Sequence, residues 1–302
     1  MVYKYEYSIM ATAIVTGGAG FIGHHLVNLL LEEGHTVEVW DNLSTGKAEN
    51  IPFHENCSFV KLDLTIDVLP NVKADWVFHL AAPVSVQESL ENPQKYEQGC
   101  FMATKRMMDW SVKQGVTDFT LASTAAVYGD REDVPFTEAS EKRPMSPYAE
   151  WKLNAEHLIK NYNERFGIRT TAIRFFNVFG EGQHDSGSYA PAVALFLKQF
   201  ERFEPITITG DGEQTRDYVY VGDIVRALYA SMKHPWGTFR VMNAGTGDET
   251  SIIEIAKTFG GEIKFIPPRV EPKRSCASIN TIQKELGWEP KTTNCSWINK
   301  VK

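Results

Sequence analysis

Two residues four positions apart, Tyr148 and Lys152, carry the chemistry this chain is best equipped to do. In a helix that spacing puts both on one face. A lysine ammonium beside a phenol favours the phenolate and lowers the tyrosine pKa from its ordinary value near ~10. Each unit of lowering reflects about 1.4 kcal/mol of preferential phenolate stabilisation, and it makes the oxygen a usable general base near neutral pH. Spacing alone does not single this pair out, because Tyr229 and Lys233 are also four apart. Position does. Tyr148 follows the run Ser123-Thr124-Ala125-Ala126-Val127-Tyr128-Gly129, which closes a predicted strand. Ligands of a doubly wound sheet sit at the carboxyl ends of its strands. The Thr124 hydroxyl is therefore expected to reach the same reacting oxygen as Tyr148. Tyr229 and Lys233 are assigned to a structural helix.

A second constellation suits a dinucleotide. Glycines at 17, 20 and 23 and at 18, 20 and 23 overlap between a short apolar strand and a helical segment. Glycine allows the tight turn and close backbone approach to a pyrophosphate, and the helix start offers that anion free N–H groups. Asp41 ends the next strand, where an acid can bind the adenosine ribose hydroxyls. No arginine follows at once to pair with a 2′-phosphate, so NAD is expected rather than NADP. Asp63-Leu64, closing the third strand, is placed near the adenine. His24 and His25 lack a carboxylate or cysteine pattern and read as ordinary helix residues.

These groups need a frame. Strand-like runs at Ala13–Thr16, Thr36–Trp40, Ser58–Leu62, Asp75–Leu80, Phe119–Ala122 and Arg169–Phe176 alternate with helical stretches at Phe21–Glu33, Pro93–Gln114 and Tyr148–Phe166. Alternation of this kind indicates an α/β fold with a doubly wound parallel sheet. After Asn177 the order breaks, and 180–188 and 209–217 read as loops. We place a cofactor domain at 11–177 and a smaller C-terminal α/β substrate lobe at 178–302, with roughly 215–244 returning to the first domain.

Bulk properties narrow the classes. The 302 residues are 43% hydrophobic and 23% charged, an ordinary globular composition. The net charge of −7 gives no electrostatic case for nucleic acid or an anionic membrane surface. No apolar run reaches the ~18 residues of a membrane span. Cys57, Cys100, Cys276 and Cys295 form no C-x-x-C pair and lie near no metal-spaced histidine, so free thiols in a reducing cytoplasm and no metal site are expected. Residues 1–10 are too short in apolar length for a secretory signal and read as an extension, with Met10 an alternative start.

Eight motifs in order carry a resemblance: GGAGFIG (17–23), DNLSTG (41–46), HLAA (79–82), STAAVYG (123–129), SPYAEWK (146–152), RFFNVFG (174–180), GDGEQTRDYVYVGD (210–223) and LGWEP (286–290). Together they resemble the extended short-chain dehydrogenase/reductases, specifically the nucleotide-sugar 4-epimerases, over about residues 11–290. The resemblance implies a Rossmann domain holding NAD and a C-terminal lobe holding an NDP-sugar, UDP the first candidate. By position it implies cofactor contacts from Gly17, Gly20, Phe21, Ile22, Gly23, the run Asp41, Asn42, Leu43, Ser44, Thr45 and Gly46, and Asp63 and Leu64. Leu80, Ala81, Ala82, Ala122, Tyr148, Lys152 and Phe175 complete that set. Substrate contacts carry over to Val84, Thr124, Tyr148, Asn177 and Arg216, with Arg269 or Arg274 a second cation for the diphosphate. Ser275 falls at the position bordering the sugar 2-substituent, where a bulky aromatic is associated with exclusion of N-acetylated sugars. Two positions depart from the family: Cys100 stands where asparagine is common, and Ser278 where aspartate is frequent. The C-terminal piece after LGWEP is expected to be shorter than usual.

The resemblance further implies that Tyr148 takes the 4-hydroxyl proton while C4 gives a hydride to NAD+, and that a rotated 4-keto sugar takes the hydride back on its other face. Dehydratases resembling this chain place Asp–Glu after the Thr, and decarboxylases place Glu, to transfer a further proton. Here Ala125 and Ala126 stand there, favouring a simple epimerase. A reductase, or a non-catalytic NAD- or sugar-sensing protein, is the alternative. A homodimer is expected through the Pro93–Gln114 and Tyr148 helices, with Phe101, Met107, Met108, Trp110, Leu158 and Ile159 shared between core and interface.

Overall fold

The computed structural model describes residues 10–184, 191–233, 237–268 and 271–302. In its first half short apolar runs become parallel strands: β1 (Thr12–Thr16), β2 (Thr36–Asp41), β3 (Cys57–Lys61), β4 (Trp76–His79), β5 (Asp118–Thr124) and β6 (Arg169–Phe175). Helix α1 (Phe21–Glu32) joins β1 to β2. Between β4 and β5 run α2 (Val86–Glu91), α3 (Pro93–Tyr96) and α4 (Ala103–Gln114), and α5 (Pro147–Phe166) precedes β6. A seventh strand, β11 (Arg240–Ala244), comes from much later in the chain, giving the order β11-β6-β5-β4-β1-β2-β3. Every pairing in it is parallel. Central strands with helices on both faces must be apolar on both sides, and β1 and β5 are buried almost throughout.

The second half builds a smaller lobe and then returns. Strand β7 (Asn177–Phe179), helix α6 (Ala192–Glu201), β8 (Ile206–Thr209), β9 (Thr215–Arg216) and β10 (Tyr218–Tyr220) lead into α7 (Val221–Met232) and β11 (Arg240–Ala244). Then come β12 (Thr250–Ser251), α8 (Ile252–Phe259), β13 (Ile263–Ile266), α9 (Asn280–Leu286) and α10 (Asn294–Val301). Three two-stranded pairs, β10 with β7, β12 with β9 and β13 with β8, replace one continuous sheet. Their core is Phe179, Phe196, Ile208, Ile255, Phe259 and Trp297. Helix α7 packs with α1 on one face of the large sheet, through Leu26, Leu30, Ile224 and Leu228. Helices α4 and α5 cover the other face, with Met107, Met108, Trp110 and Ile159.

Two expectations change. The stretch 209–217 is not all loop: β9 pairs antiparallel with β12 through two residues each, too few for any periodic pattern to show. The stretch Pro93–Gln114 is not one α-helix: residues Glu97–Met102 form a π-helical turn between α3 and α4. A Cβ at Gly99 would lie 2.5 Å from Pro83 Cδ, so only glycine lets this wider turn lean on the β4–α2 loop. Such turns inside helices are frequent at functional sites.

Candidate active site

The glycine turn after β1 is shaped by contacts that leave no room for side chains. Gly17 has φ +70° and a Cβ there would meet Ala81 N at 2.8 Å, while a Cβ on Gly23 would sit 2.1 Å from Gly17 O. The turn thus lies directly against Ala81 of the segment Leu80-Ala81-Ala82. Helix α1 starts at Gly20 with no side-chain cap and no acid in its first turn, so the N–H groups around Phe21 and Ile22 stay available to an anion. Asp41, at the end of β2, accepts from Ala19 N at 3.0 Å and from Leu43 N at 2.8 Å. It braces both the glycine turn and the next loop, a role its position alone did not reveal. Leu43 has φ +60°, and Ser44 N bonds the Asn42 side chain at 2.9 Å, which shapes the Asn42–Gly46 loop around Thr45. Asp63 accepts from Asn42 Nδ2 at 3.1 Å and from Thr65, and these bonds hold its carboxyl below the usual range. Asn42, Ser44 and Asp63 line a cleft of about 400 Å³ with Lys61, Leu62 and Asp67, while Leu64 beside it is buried. A turn with no room for a Cβ at Gly17 or Gly23, an uncapped helix start and a polar cleft beyond β2 fit a dinucleotide laid across the strand ends.

The catalytic candidates meet at the end of β5. Thr124 caps the short 3₁₀ turn Ala125–Tyr128, its Oγ1 accepting from Ala126 N at 3.1 Å. Ser146 caps α5, with Pro147 in the first turn and Gly167 closing the far end in the left-handed region. The hydroxyl of Tyr148, the second residue of the helix, bonds the Thr124 hydroxyl. Lys152 is 3% exposed and its Nζ donates to Ala122 O at 3.0 Å. Phe175, on the neighbouring strand, is buried beside them. Cys100, from the π turn, acts electrostatically on both Tyr148 and Lys152, with its Sγ 3.7 Å from Pro83 O.

The expected lowering of the Tyr148 pKa does not hold for the protein alone. Burial pushes the phenol above its ordinary range, Cys100 adds to this, and the Thr124 hydrogen bond opposes it. Lys152 is absent from the groups that act on it, and burial lowers the ammonium's own pKa. The lysine donates to the strand carbonyl Ala122 O, and burial of the phenol outweighs its bond with Thr124.

Behind the cluster runs a buried chain that the motifs did not announce. Ala81 N donates to Thr16 Oγ1 at 3.2 Å, Thr16 Oγ1 meets His79 Nδ1 at 2.8 Å, and His79 Nε2 meets Thr104 Oγ1 at 3.1 Å. Thr104 in turn donates to Cys100 O at 2.7 Å. With the Thr104 proton committed to that carbonyl, His79 must donate from Nε2 and accept at Nδ1. Burial, then Lys152, pushes its pKa down to about 3, so the ring stays neutral. The chain ties the glycine turn to the π turn. The clue in the sequence was His79 inside HLAA, a polar residue in an otherwise apolar strand.

The substrate-side residues divide. Asn177, exposed, opens β7 and pairs in register with Tyr218 of β10. Arg216 on β9 is buried and bonded to Glu271 at 2.8 Å. Asp217, its neighbour, is no partner of it: it accepts from Thr246, Gly247 and Ala277 and anchors that turn. Arg274 is exposed and ion-paired with Glu249. Arg269 lies outside the described residues. Ser275, half-buried, accepts from Asp217 N at 2.7 Å through its carbonyl, between β9 and the segment bearing Asp130. Val84 is 68% exposed beyond β4. Glu271 and Glu249 are thus present carboxylate partners of two cations expected to meet phosphate. Among the described residues no group of three metal-binding side chains occurs, and no helix is long and apolar enough to cross a membrane.

Comparison with known proteins decides the family. The profile of the NAD dependent epimerase/dehydratase family matches residues 13–245. The chain belongs to this family. A UDP-glucose 4-epimerase of Mycolicibacterium smegmatis is 35% identical over 303 residues, covering 95% of this chain and 96% of that protein. UDP-glucuronic acid decarboxylase 1 of Xenopus tropicalis is 33% identical, over 95% of this chain and 70% of that one. The solved UDP-glucose 4-epimerase of Thermus thermophilus, in complex with NAD, superposes with TM-score 0.86 at 32% identity, covering 95% of this chain and 96% of that one.

As a member of this epimerase/dehydratase family, the chain uses NAD, and the glycine turn, Asp41 and the Asn42–Asp63 cleft are the places that fit it. Within the family, this chain sets Ala125 and Ala126, both half-buried, on the 3₁₀ turn directly after Thr124. Neither side chain can carry a proton.

Proposed function

We propose that this protein is a 4-epimerase of a nucleotide-diphosphate sugar, with UDP the carrier and the reaction passing through a transient 4-keto sugar. The observation that carries it is the convergence of Thr124, Tyr148 and Lys152 at the end of β5, followed by two alanines. NAD+ held at the glycine turn and Asp41 would supply a hydride acceptor able to return the same hydride. The chain's own residues then handle the proton. Tyr148 takes it from the 4-hydroxyl and gives it back. Thr124 holds the oxygen in line, and Lys152 stabilises the phenolate as it forms. The two residues after Thr124 are alanines, which disfavours elimination or decarboxylation even though decarboxylases are among the relatives.

Asn177, Arg216 and one of Arg269 or Arg274 are assigned to the diphosphate. Because Arg216 is paired with Glu271, phosphate oxygens must replace that carboxylate on the guanidinium, whose planar fork suits either. Ser275 is assigned to the pocket wall near the sugar 2-position and leaves room for an acetamido group, so UDP-GlcNAc/UDP-GalNAc is accepted at least as well as UDP-Glc/UDP-Gal. The physiological form is a cytoplasmic homodimer through the Pro93–Gln114 segment and α5. Met107, Met108, Trp110 and Ile159 are fully committed to the chain's own core, leaving half-buried Phe101 and Leu158 for that surface.

The test is incubation of the purified protein with a panel of NDP-sugars, products read by NMR, in wild type and Ser275→Tyr. Interconversion at C4 without added cofactor supports the proposal. Release of CO2, a 4-keto-6-deoxy product, or activity only with added NADPH would overturn it. Selective loss of the N-acetylated pair in Ser275→Tyr supports the pocket assignment, and equal loss of both pairs refutes it.

A further inference from the structure

One buried ion pair binds together the two segments that carry the catalytic candidates. Glu156 lies one turn beyond Lys152 on α5, and Arg174 lies on β6; their side chains are 2% and 3% exposed. Arg174 Nε and Nη2 reach the two carboxylate oxygens at 2.9 and 2.7 Å, a two-point pairing. Ser123, the residue before Thr124, donates to the same carboxylate. Arg174 Nη1 donates to the Tyr128 hydroxyl at 2.8 Å, at the end of the turn that follows Thr124, and its guanidinium lies 5.1 Å from the Tyr128 ring centre. The Tyr128 hydroxyl donates to Asn243 Oδ1 on β11 at 2.6 Å. Thr124 is therefore held on both sides by one ion pair whose acid stands on the Tyr148–Lys152 helix.

Burying two charges is costly, and well-packed apolar residues often stabilise as much or more. A pair placed between two catalytic segments has another use: its fixed geometry sets their distance. We propose that Glu156, with Arg174 as its counter-ion, is a positioning residue that registers Thr124 against Tyr148 and sets a negative charge facing Lys152. This rests on the reading of Thr124, Tyr148 and Lys152 as the reacting group. Around Lys152 stand Glu156 from its own helix, Cys100 from the π turn and neutral His79 from β4. Burial lowers its pKa, and Cys100 and then Glu156 oppose that. Of these, Glu156 is the carboxylate.

The test uses the NAD-bound enzyme and three variants. Glu156→Met combined with Arg174→Met removes both charges at similar volume. Glu156→Gln removes one charge. Ser123→Ala cuts a single tether and keeps the pair. For the double variant we expect kcat to fall at least about 10-fold, with KM within about threefold and NAD content unchanged, as misplacement of reacting groups predicts. The basic limb of the kcat–pH profile should move to lower pH in both Glu156 variants, since the lysine then loses its proton sooner. Ser123→Ala should lower kcat by about threefold or more and leave that limb in place. A folded, NAD-bound double variant with wild-type kcat and limb overturns the proposal. So does a loss that only tracks the folded fraction, or wild-type kcat in Ser123→Ala should the charge variants fail to fold. Wild-type turnover in Tyr148→Phe would instead sink the underlying catalytic reading.

Discussion

The chain contains two Tyr-x-x-x-Lys helices, and they end up doing different things. In α5, Lys152 is buried, reaches Ala122 O and leaves the Tyr148 hydroxyl beside Thr124. In α7, Lys233 folds back over its own tyrosine, with Nζ 4.0 Å from the Tyr229 ring centre. The Tyr229 hydroxyl donates to Glu33 at 2.8 Å and meets His35 Nε2 at 3.0 Å, so α7 is tied to the end of α1. The first phenol is open to one further partner. The second has two already, one of them a carboxylate, and its pKa is pushed up by burial and by Glu33. A spacing places two side chains on one face; what lies opposite that face decides whether they react or hold the structure together.

The largest contrast is expected from removing each phenol oxygen. Tyr148→Phe keeps the ring and its edge contact with Tyr96 and should lose about 10²–10⁴-fold in turnover with NAD retained. Tyr229→Phe should stay within about twofold in turnover, because it touches only structural partners. Equal losses in the two variants, by initial-rate assay and cofactor content, would erase the distinction.

Removing each ammonium sharpens it. Lys152→Met should lower kcat by at least about 10-fold and abolish the basic limb of its pH profile, whereas Lys233→Met should change neither. A shifted limb in the Lys233 variant would place charge control at the wrong helix.

Each pair also has a buried histidine beside it, and both histidines favour the neutral form. His79 is pushed down to about 3, and His35 is lowered, mainly by burial and then by Lys233. A depressed folded pKa means the unfolded chain binds the extra proton first. Stability is therefore full above the unfolded value near ~6.5 and declines as pH falls below it, by up to about 1.4 kcal/mol per unit for each such group. Urea unfolding followed from about pH 7.5 down to about 4.5 should show this slope, reduced in His79→Gln. A slope unchanged in that variant would mean that His79 titrates normally.

The smallest effect belongs to the structural pair itself. Tyr229→Phe leaves a buried imidazole nitrogen and Glu33 without their phenol partner and should cost about 1–2 kcal/mol in denaturant unfolding. A neutral result would show that the α1–α7 contact relies on packing by Leu26, Leu30 and Leu228 alone.

What the sequence by itself determined was what repeats locally. Apolar runs between glycine turns set the parallel sheet, and Gly17, Gly20 and Gly23 marked the cofactor turn, where backbone contacts at Gly17 and Gly23 tolerate no Cβ. Ser146-Pro147 and Gly167 marked the ends of α5 for equally local reasons. Tertiary structure alone decided the rest. It broke Pro93–Gln114 at a π turn, because Gly99 meets Pro83 only after β4 and the helix are packed. It spent Arg216 on Glu271, 55 residues away, and joined Ser123, Glu156 and Arg174 from two strands and a helix. It also raised the Tyr148 pKa where spacing to Lys152 had suggested lowering, since desolvation depends on everything that surrounds the phenol. Local pattern encodes which face a residue occupies, whereas partners across the core and the dielectric around a charge exist only once distant segments have come together.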